Sequence, residues 1–146
     1  MEIPRNTHVL VMDGGKMLLF KNHGGEAEPD LNIVTHLVQD SAATRDQGSA
    51  SPGTNHESFG ARRSSYEQTD FHQLDEDQFA VEAADMLRRE VLAHHIDSLI
   101  IVAAPRTLGE LRKHLHTEVA RRVIGEISKD VAGHPTVEIM AAIANN

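Results

Sequence analysis

The sequence predicts an α/β fold in which helices cover the faces of a mixed β-sheet. Three short runs of β-type residues lie before residue 40. Later, an apolar run at residues 99–104 stops at Pro105, and leucines at helical spacing follow at once. A buried strand, a tight turn and a helix in this order form the unit from which α/β sheets are assembled. The length of 146 residues suits one domain with a sizeable core, so we expect a single domain over residues 1–146.

The amino-terminal part predicts three strands, at residues 8–13, 16–21 and 31–39. Gly14 and Gly15 separate the first two and indicate a two-residue hairpin, in which both positions require positive φ. We expect the third strand to run antiparallel to the second.

Residues 40–69 are polar and rich in Ser, Gly and Ala. Such a segment has too few apolar groups to offset the entropy lost on ordering. We therefore expect a flexible insertion here, most of it mobile. A loop of this length within a compact domain is either functional or merely tolerated.

An amphipathic helix is predicted over residues 76–94, because apolar residues recur at every fourth position. Its apolar positions are Phe79, Ala83, Leu87 and Val91, with Ala80 and Ala84 beside them. Asp75 and Gln78 have the spacing of a capping box, in which two side chains bond the free amides at a helix start.

The second half predicts a buried strand at residues 99–104 and a helix after it, with a capping box at Thr107 and Glu110. Residues 121–127 fit either a continuation of that helix or an edge strand. Pro135 indicates the start of a last helix, whose apolar positions are Val137, Met140, Ala141 and Ala144. The order β-β-β-α-β-α-(β)-α is that of ribonuclease H-like proteins.

The amino-acid composition and net charge argue against several classes of protein. The formal net charge of −8 argues against a general nucleic-acid binder and against anionic membrane surfaces. The absence of cysteine excludes disulfides, thiol catalysis and cysteine-based zinc sites. The start has no export signal and no apolar stretch is long enough to span a membrane, so we expect a cytoplasmic protein that does not act on membranes.

Asp13 ends the first strand, where ribonuclease H-like nucleases place a metal-binding carboxylate. Such enzymes need several acids that converge on two metal ions. Glu82 and Asp85 are candidates, but the strand that should supply another acid ends in Ala103 and Ala104. We therefore favour Asp13 as an ordinary turn residue.

The ten histidines do not form a recognisable metal motif. His94 and His95 are adjacent and diverge on a helix, and His114 and His116 are also poorly spaced for chelation. Zinc needs three or four convergent ligands, and no local pattern supplies them. We expect exposed or helix-terminal histidines, with no metal site and no cofactor.

Arg106, Thr107 and Arg112 are the first candidate binding residues. They place positive charge around a helix N-terminus at the carboxyl end of a strand, where open α/β sheets bind ligands. No glycine-rich phosphate-binding motif is present. The alternative is ordinary capping by Thr107 with solvated arginines. Residues 106–130 contain six basic and four acidic residues, whereas residues 70–90 contain two and seven, and this asymmetry can orient a partner.

Arg63, Asp70 and His72 form a second candidate group before the first long helix. A mixed set of this kind can build a hydrogen-bonded polar site, and His72 beside Asp70 has the chemistry of a base. No nucleophile is placed beside them, so a cap before the helix and a solvated loop form the alternative.

Three parts of the chain resemble the bacterial host attachment protein family, also described as proteins required for attachment to host cells. They are HVLVMDGGKMLLFKN at the start, GARRSSYEQTDFHQLDEDQFAVEAADML in the middle, and SLIIVAAPRTLGELRKHL with VIGEISKDVAGHP later. They cover most of the chain outside residues 24–58, and the last two are the more specific.

That family is similar to the central domain of archaeal and eukaryotic peptide-chain release factors and of pelota-type ribosome rescue factors. The catalytic tripeptide GGQ of release factors is absent from this sequence, so the resemblance does not imply peptidyl-tRNA hydrolysis. It implies a non-enzymatic cytoplasmic protein that acts through a protein or ribosomal partner. The alternative is a metal-dependent nuclease or phosphoryl-processing enzyme of ribonuclease H-like architecture.

Overall fold

The computed structural model describes residues 1–39 and 75–146 and shows an α/β architecture around one mixed sheet. The three predicted amino-terminal strands and the buried central strand are all present, each within one residue of its predicted ends. The five strands are β1 (His8–Met12), β2 (Lys16–Asn22), β3 (Leu31–Val38), β4 (Leu99–Ala103) and β5 (Val123–Ser128). The predicted fold class is confirmed.

The strands lie in the order β3-β2-β1-β4-β5. β1 pairs antiparallel with β2, and β2 pairs antiparallel with β3, as the sequence predicted. β1 also pairs parallel with β4. β4 and β5 are parallel. The carboxyl ends of β1, β4 and β5 therefore lie along the same edge of the sheet, which we call the carboxyl edge. The opposite edge, where these three strands begin, is the amino edge.

Helices cover both faces of the sheet. Residues 75–92 form helix α1, and α2 (Pro105–Arg112) and α3 (Thr117–Arg122) pack on the same face. The buried residues there include Leu10, Met17, Phe79, Leu87, Ile101 and Leu111. Helix α4 (Thr136–Ala144) covers the other face together with Ile3, over Val9, Val11, Phe20 and Val102. Within the described ranges, no helix has the length and apolar character needed to cross a membrane.

Helix α2 begins earlier than the sequence predicted. Its first residue is Pro105 and its cap is Ala104, which makes no side-chain capping bond. Proline suits the first helical position because it has no N–H to satisfy and its φ is already helical. Thr107 thus lies inside the first turn, and the predicted capping box with Glu110 is wrong. Glu110 instead pairs with Lys113 (3.1 Å) and His114 (3.5 Å).

The hairpin between β1 and β2 also differs from expectation. Neither Gly14 nor Gly15 has positive φ, so the predicted turn geometry is wrong. Asp13 shapes the turn instead: its Oδ1 accepts hydrogen bonds from the N–H groups of Gly15 (2.9 Å) and Lys16 (2.8 Å). A Cβ at Gly14 would meet only the flexible carboxylate end of Glu76, which can move aside, so space alone does not require glycine there.

Both alternatives for residues 121–127 are realised in part. Helix α3 ends at Arg122 and strand β5 starts at the next residue, Val123. The last helix follows Pro135 as predicted, but it buries a different face. Ile139 and Ile143 are buried, and of the predicted apolar positions only Met140 packs partly against the core. Val137 is 71% exposed, and Ala141 and Ala144 are also exposed, so these three predicted positions are wrong.

The flexible insertion predicted at residues 40–69 lies outside the described ranges. Asp75 is already helical, so it is not the N-cap residue of the capping box predicted with Gln78.

Candidate functional site

Arg106 lies at the carboxyl edge, in the first turn of α2. It directly follows Pro105 and is exposed. Within the described ranges its guanidinium has no ion pair, unlike several other arginines of the chain. The exposure of Arg106 after Pro105 agrees with the expectation from the sequence, whereas its role in binding stays a prediction.

Arg112 and Thr107 do not join Arg106 in one site. Arg112 is the last residue of α2, about 9 Å along the helix axis from Arg106 at a rise of about 1.5 Å per residue. Its guanidinium is bound to Glu126 of β5, with nitrogen–oxygen distances of 2.8 and 2.5 Å. Thr107 is only partly exposed. Arg112 thus connects α2 to the sheet, and of the three predicted residues Arg106 alone presents an unpaired charge.

The second predicted group, Arg63, Asp70 and His72, lies outside the described residues. It stays a prediction.

The carboxylate of Asp13 makes its hydrogen bonds within the turn between β1 and β2. Its Oδ1 accepts two backbone hydrogen bonds, and the neighbouring strand β4 ends in Ala103 and Ala104. Across residues 1–39 and 75–146, no group of three or more His, Asp or Glu side chains is placed to hold a metal ion. The geometry at Asp13 is that of the turn residue favoured from the sequence.

Two histidines are helix-terminal. His116 caps α3, because its Nδ1 accepts a hydrogen bond of 3.0 Å from the N–H of Glu118. His94 follows α1 with a φ of 64°. Both positions agree with the interpretation of the histidines as helix-terminal residues.

His8 is a buried histidine that the sequence did not single out. It lies in β1 opposite Lys21 of β2 and is only 5% exposed, and its Nδ1 has no hydrogen-bond partner in the part of the chain that the structure describes. Burial, and then the nearby charge of Lys21, lower the pKa of His8 below its ordinary value. Beside it, at the amino edge, Thr7 and Ser98 join their hydroxyls at 2.9 Å.

A groove between the end of β3 and helix α1 was also missed by the sequence analysis. It has a volume of about 250 Å³ and is lined by Leu37, Val38, Gln39, Asp75, Gln78, Phe79 and Glu82. The Oδ2 atom of Asp75 is buried and has no hydrogen-bond partner among the described residues. The excess of acidic residues in helix α1 could be read from the sequence. Only the tertiary structure shows that this helix lies beside the end of β3.

The exposed position of β3 is the third feature that the sequence did not reveal. This strand is the last strand of the sheet, and four of its apolar side chains are exposed: Ile33 (56%), Val34 (51%), Leu37 (36%) and Val38 (68%). Its weak alternation of apolar and polar residues predicted a strand, but it carried no information on the strand's position in the sheet.

Comparison with protein-family models matches residues 6–143 to the model of bacterial archaeo-eukaryotic release factor family 12. Among solved structures, the chain is similar to an archaeal translation termination factor, aRF1, with a TM-score of 0.48 and 8% sequence identity. That alignment covers 94% of this chain and 34% of the archaeal chain. No curated protein sequence matches this chain.

Proposed function

The chain belongs to bacterial archaeo-eukaryotic release factor family 12, and on this premise we propose that it acts in translation, without catalysis, by binding a ribosomal or protein partner. The observation that carries the proposal is the extent of the family match. It runs from residue 6 to residue 143 and so includes every strand from β1 to β5. We propose further that the protein is cytoplasmic and that the host attachment family describes the same group.

The carboxyl edge supports binding rather than phosphoryl chemistry. A nuclease with two metal ions needs several acids that converge beside the substrate. Here Asp13 bonds turn amides, and β4 supplies only alanines at its end. The alternative function, a metal-dependent nuclease or phosphoryl-processing enzyme, therefore has weaker support than a binding role.

Arg106 is the residue that we propose faces the partner. An exposed guanidinium without an ion pair is free to form bidentate bonds with a carboxylate or a phosphate. The guanidinium of Arg112, in contrast, is already paired with Oε1 of Glu126. Arg106 and Arg112 belong to the same short helix, so their different pairing predicts different effects on binding.

The test is affinity purification of the tagged chain from cell lysate, with and without ribonuclease, followed by identification of the captured proteins. A ribosomal partner predicts that ribosomal proteins are captured and are lost after ribonuclease treatment. A direct protein partner survives the treatment. Arg106→Ala should reduce the capture in either case, because it removes the free cation at the carboxyl edge.

Arg5→Ala is the matched control, because Arg5 is also exposed but precedes β1 at the amino edge. This variant should capture the partner as well as the wild type. Capture of neither a ribosomal nor any other protein would contradict the proposal. So would equal losses in Arg5→Ala and Arg106→Ala.

A further inference from the structure

Within residues 1–39 and 75–146, strand β3 (Leu31–Val38) has a neighbouring strand on one side only, so its other side is unpaired there over eight residues. An unpaired edge presents a row of free N–H and C=O groups to any other extended chain. Proteins usually protect such edges with charged residues or proline, and β3 contains no Lys, Arg, Asp, Glu or Pro. Four of the seven large hydrophobic side chains that are exposed in the described ranges lie on this strand.

The opposite edge strand of the sheet differs in composition. Strand β5 contains a charged residue, Glu126, which is bound to Arg112. Ile124 is its one exposed large hydrophobic residue. The contrast with β3 shows that the open character is specific to one edge.

Both ends of β3 are acidic. Glu26, Glu28 and Asp30 are exposed in the loop that precedes the strand. At its other end, the groove between β3 and α1 contains the carboxylates of Asp75 and Glu82. The groove therefore presents negative charge to a cationic side chain of a partner.

We propose that the outer edge of β3 binds an extended peptide segment of a protein partner, aliphatic in its middle and carrying Lys or Arg at its ends. The peptide adds a sixth strand to the sheet, so its backbone supplies the affinity and its side chains the specificity. One terminal cation enters the groove beside Asp75 and Glu82. This inference rests on the proposed function and defines the chemistry of the partner.

A second copy of this chain fits the edge poorly. Two β3 strands related by a two-fold axis pair antiparallel, which brings the acidic loop of one copy to the acidic groove of the other. Like charges in contact oppose association, and each copy has a formal net charge of −8. An RNA strand fits even less well, because β3 carries no cation for its phosphates.

The test is selection of a random linear peptide library, displayed on phage, against the full chain. We expect enriched peptides with alternating aliphatic residues between flanking lysines or arginines. Synthetic copies of the enriched peptides are then titrated by fluorescence anisotropy. The double variant Val34→Lys, Val38→Lys places charges on the edge and should weaken binding by about tenfold or more, a change of ~1.4 kcal/mol per factor of ten.

Val137→Lys is the matched control. Val137 is as exposed as Val38 but lies on α4, so this variant should bind the peptides like the wild type. Glu82→Lys provides a charge test: it should weaken binding of peptides with basic ends and strengthen binding of copies whose basic ends are replaced by glutamate. Melting temperatures establish that all variants are folded.

Several outcomes overturn the inference. They are the absence of enrichment, enrichment of acidic peptides, equal binding by the edge variant, and a dimer in sedimentation that the edge variant abolishes. If the edge variant still captures ribosomal proteins from lysate, the edge inference fails and the proposed function stands. If peptides bind as expected but no partner is captured from lysate, the proposed function fails instead.

Discussion

His95 is bonded to Glu90 through both the backbone and the side chain. Its N–H donates to the carbonyl of Glu90 at 2.9 Å, and its Nδ1 lies 2.7 Å from Oε2 of the same residue. The N–H of His94 donates to the carbonyl of Val91 at 3.0 Å. These backbone bonds form a Schellman motif, which ends α1 with His94 in the left-handed conformation that glycine usually occupies.

His94→Gly should raise the free energy of unfolding by about 0.5–1 kcal/mol. A residue with a Cβ is strained by about 1–2 kcal/mol in the left-handed region, and the greater freedom of glycine in the unfolded chain offsets part of the gain. Urea denaturation measures the change. Ala93→Gly is the control: φ is not positive there, so this variant should lose stability. Equal losses in both variants would show that the strain is not released.

Asp13→Ala should lower the free energy of unfolding by about 1–2 kcal/mol, because the amides of Gly15 and Lys16 lose their acceptor. Asp13→Asn keeps an Oδ1 acceptor and should stay within about 0.5 kcal/mol of the wild type. The two variants distinguish a turn residue from a metal ligand, for which loss of the negative charge is the damaging change.

Calorimetric titration with Mn²⁺ completes the test of Asp13. We expect no saturable site tighter than about micromolar in the wild type, and no difference in Asp13→Asn. Cleavage of nucleic acid that requires Mn²⁺ and is abolished in Asp13→Asn would contradict the turn assignment and restore the nuclease alternative.

Thr107→Ala should change the free energy of unfolding by less than about 0.5 kcal/mol, because Thr107 lies inside α2 and does not cap it. His116→Ala is the informative comparison. It removes the side chain that caps α3 and should cost about 1 kcal/mol, which is typical for loss of an N-cap. Chemical denaturation of both variants decides the point. A larger loss in Thr107→Ala would favour the capping box predicted from the sequence.

His8 should make the protein less stable in mild acid. Its pKa is lowered in the folded state, so the neutral ring contributes stability above its ordinary pKa of 6.5. As pH falls below that value, the unfolded chain takes up the proton first and the contribution is lost, until the folded pKa is passed. The unfolding free energy of His8→Val, measured from about pH 7 to about pH 5, should fall less than that of the wild type. Identical pH profiles would contradict this assignment.

Local sequence patterns were sufficient to predict strands β1 to β4 and helix α1. Buried strands such as β4 need an unbroken apolar run, and α1 needs an apolar residue at every fourth position, so both signals lie within a few neighbouring residues. The start of α2 was predicted too late in the chain, because two local signals lie close together there. Pro105 suits the first helical position and Thr107 suits a cap, and the structure shows that the proline begins the helix.

The sequence by itself determined the fold class, the antiparallel start, the buried central strand and the exposure of Arg106 after Pro105. Only the tertiary structure decided which strands lie at the edges and which charges are paired. Arg112 and Glu126 are 14 residues apart, and β3 and α1 form a groove across 35 undescribed residues. Such contacts depend on the packing of distant elements, and a periodic pattern within one element contains no information about them.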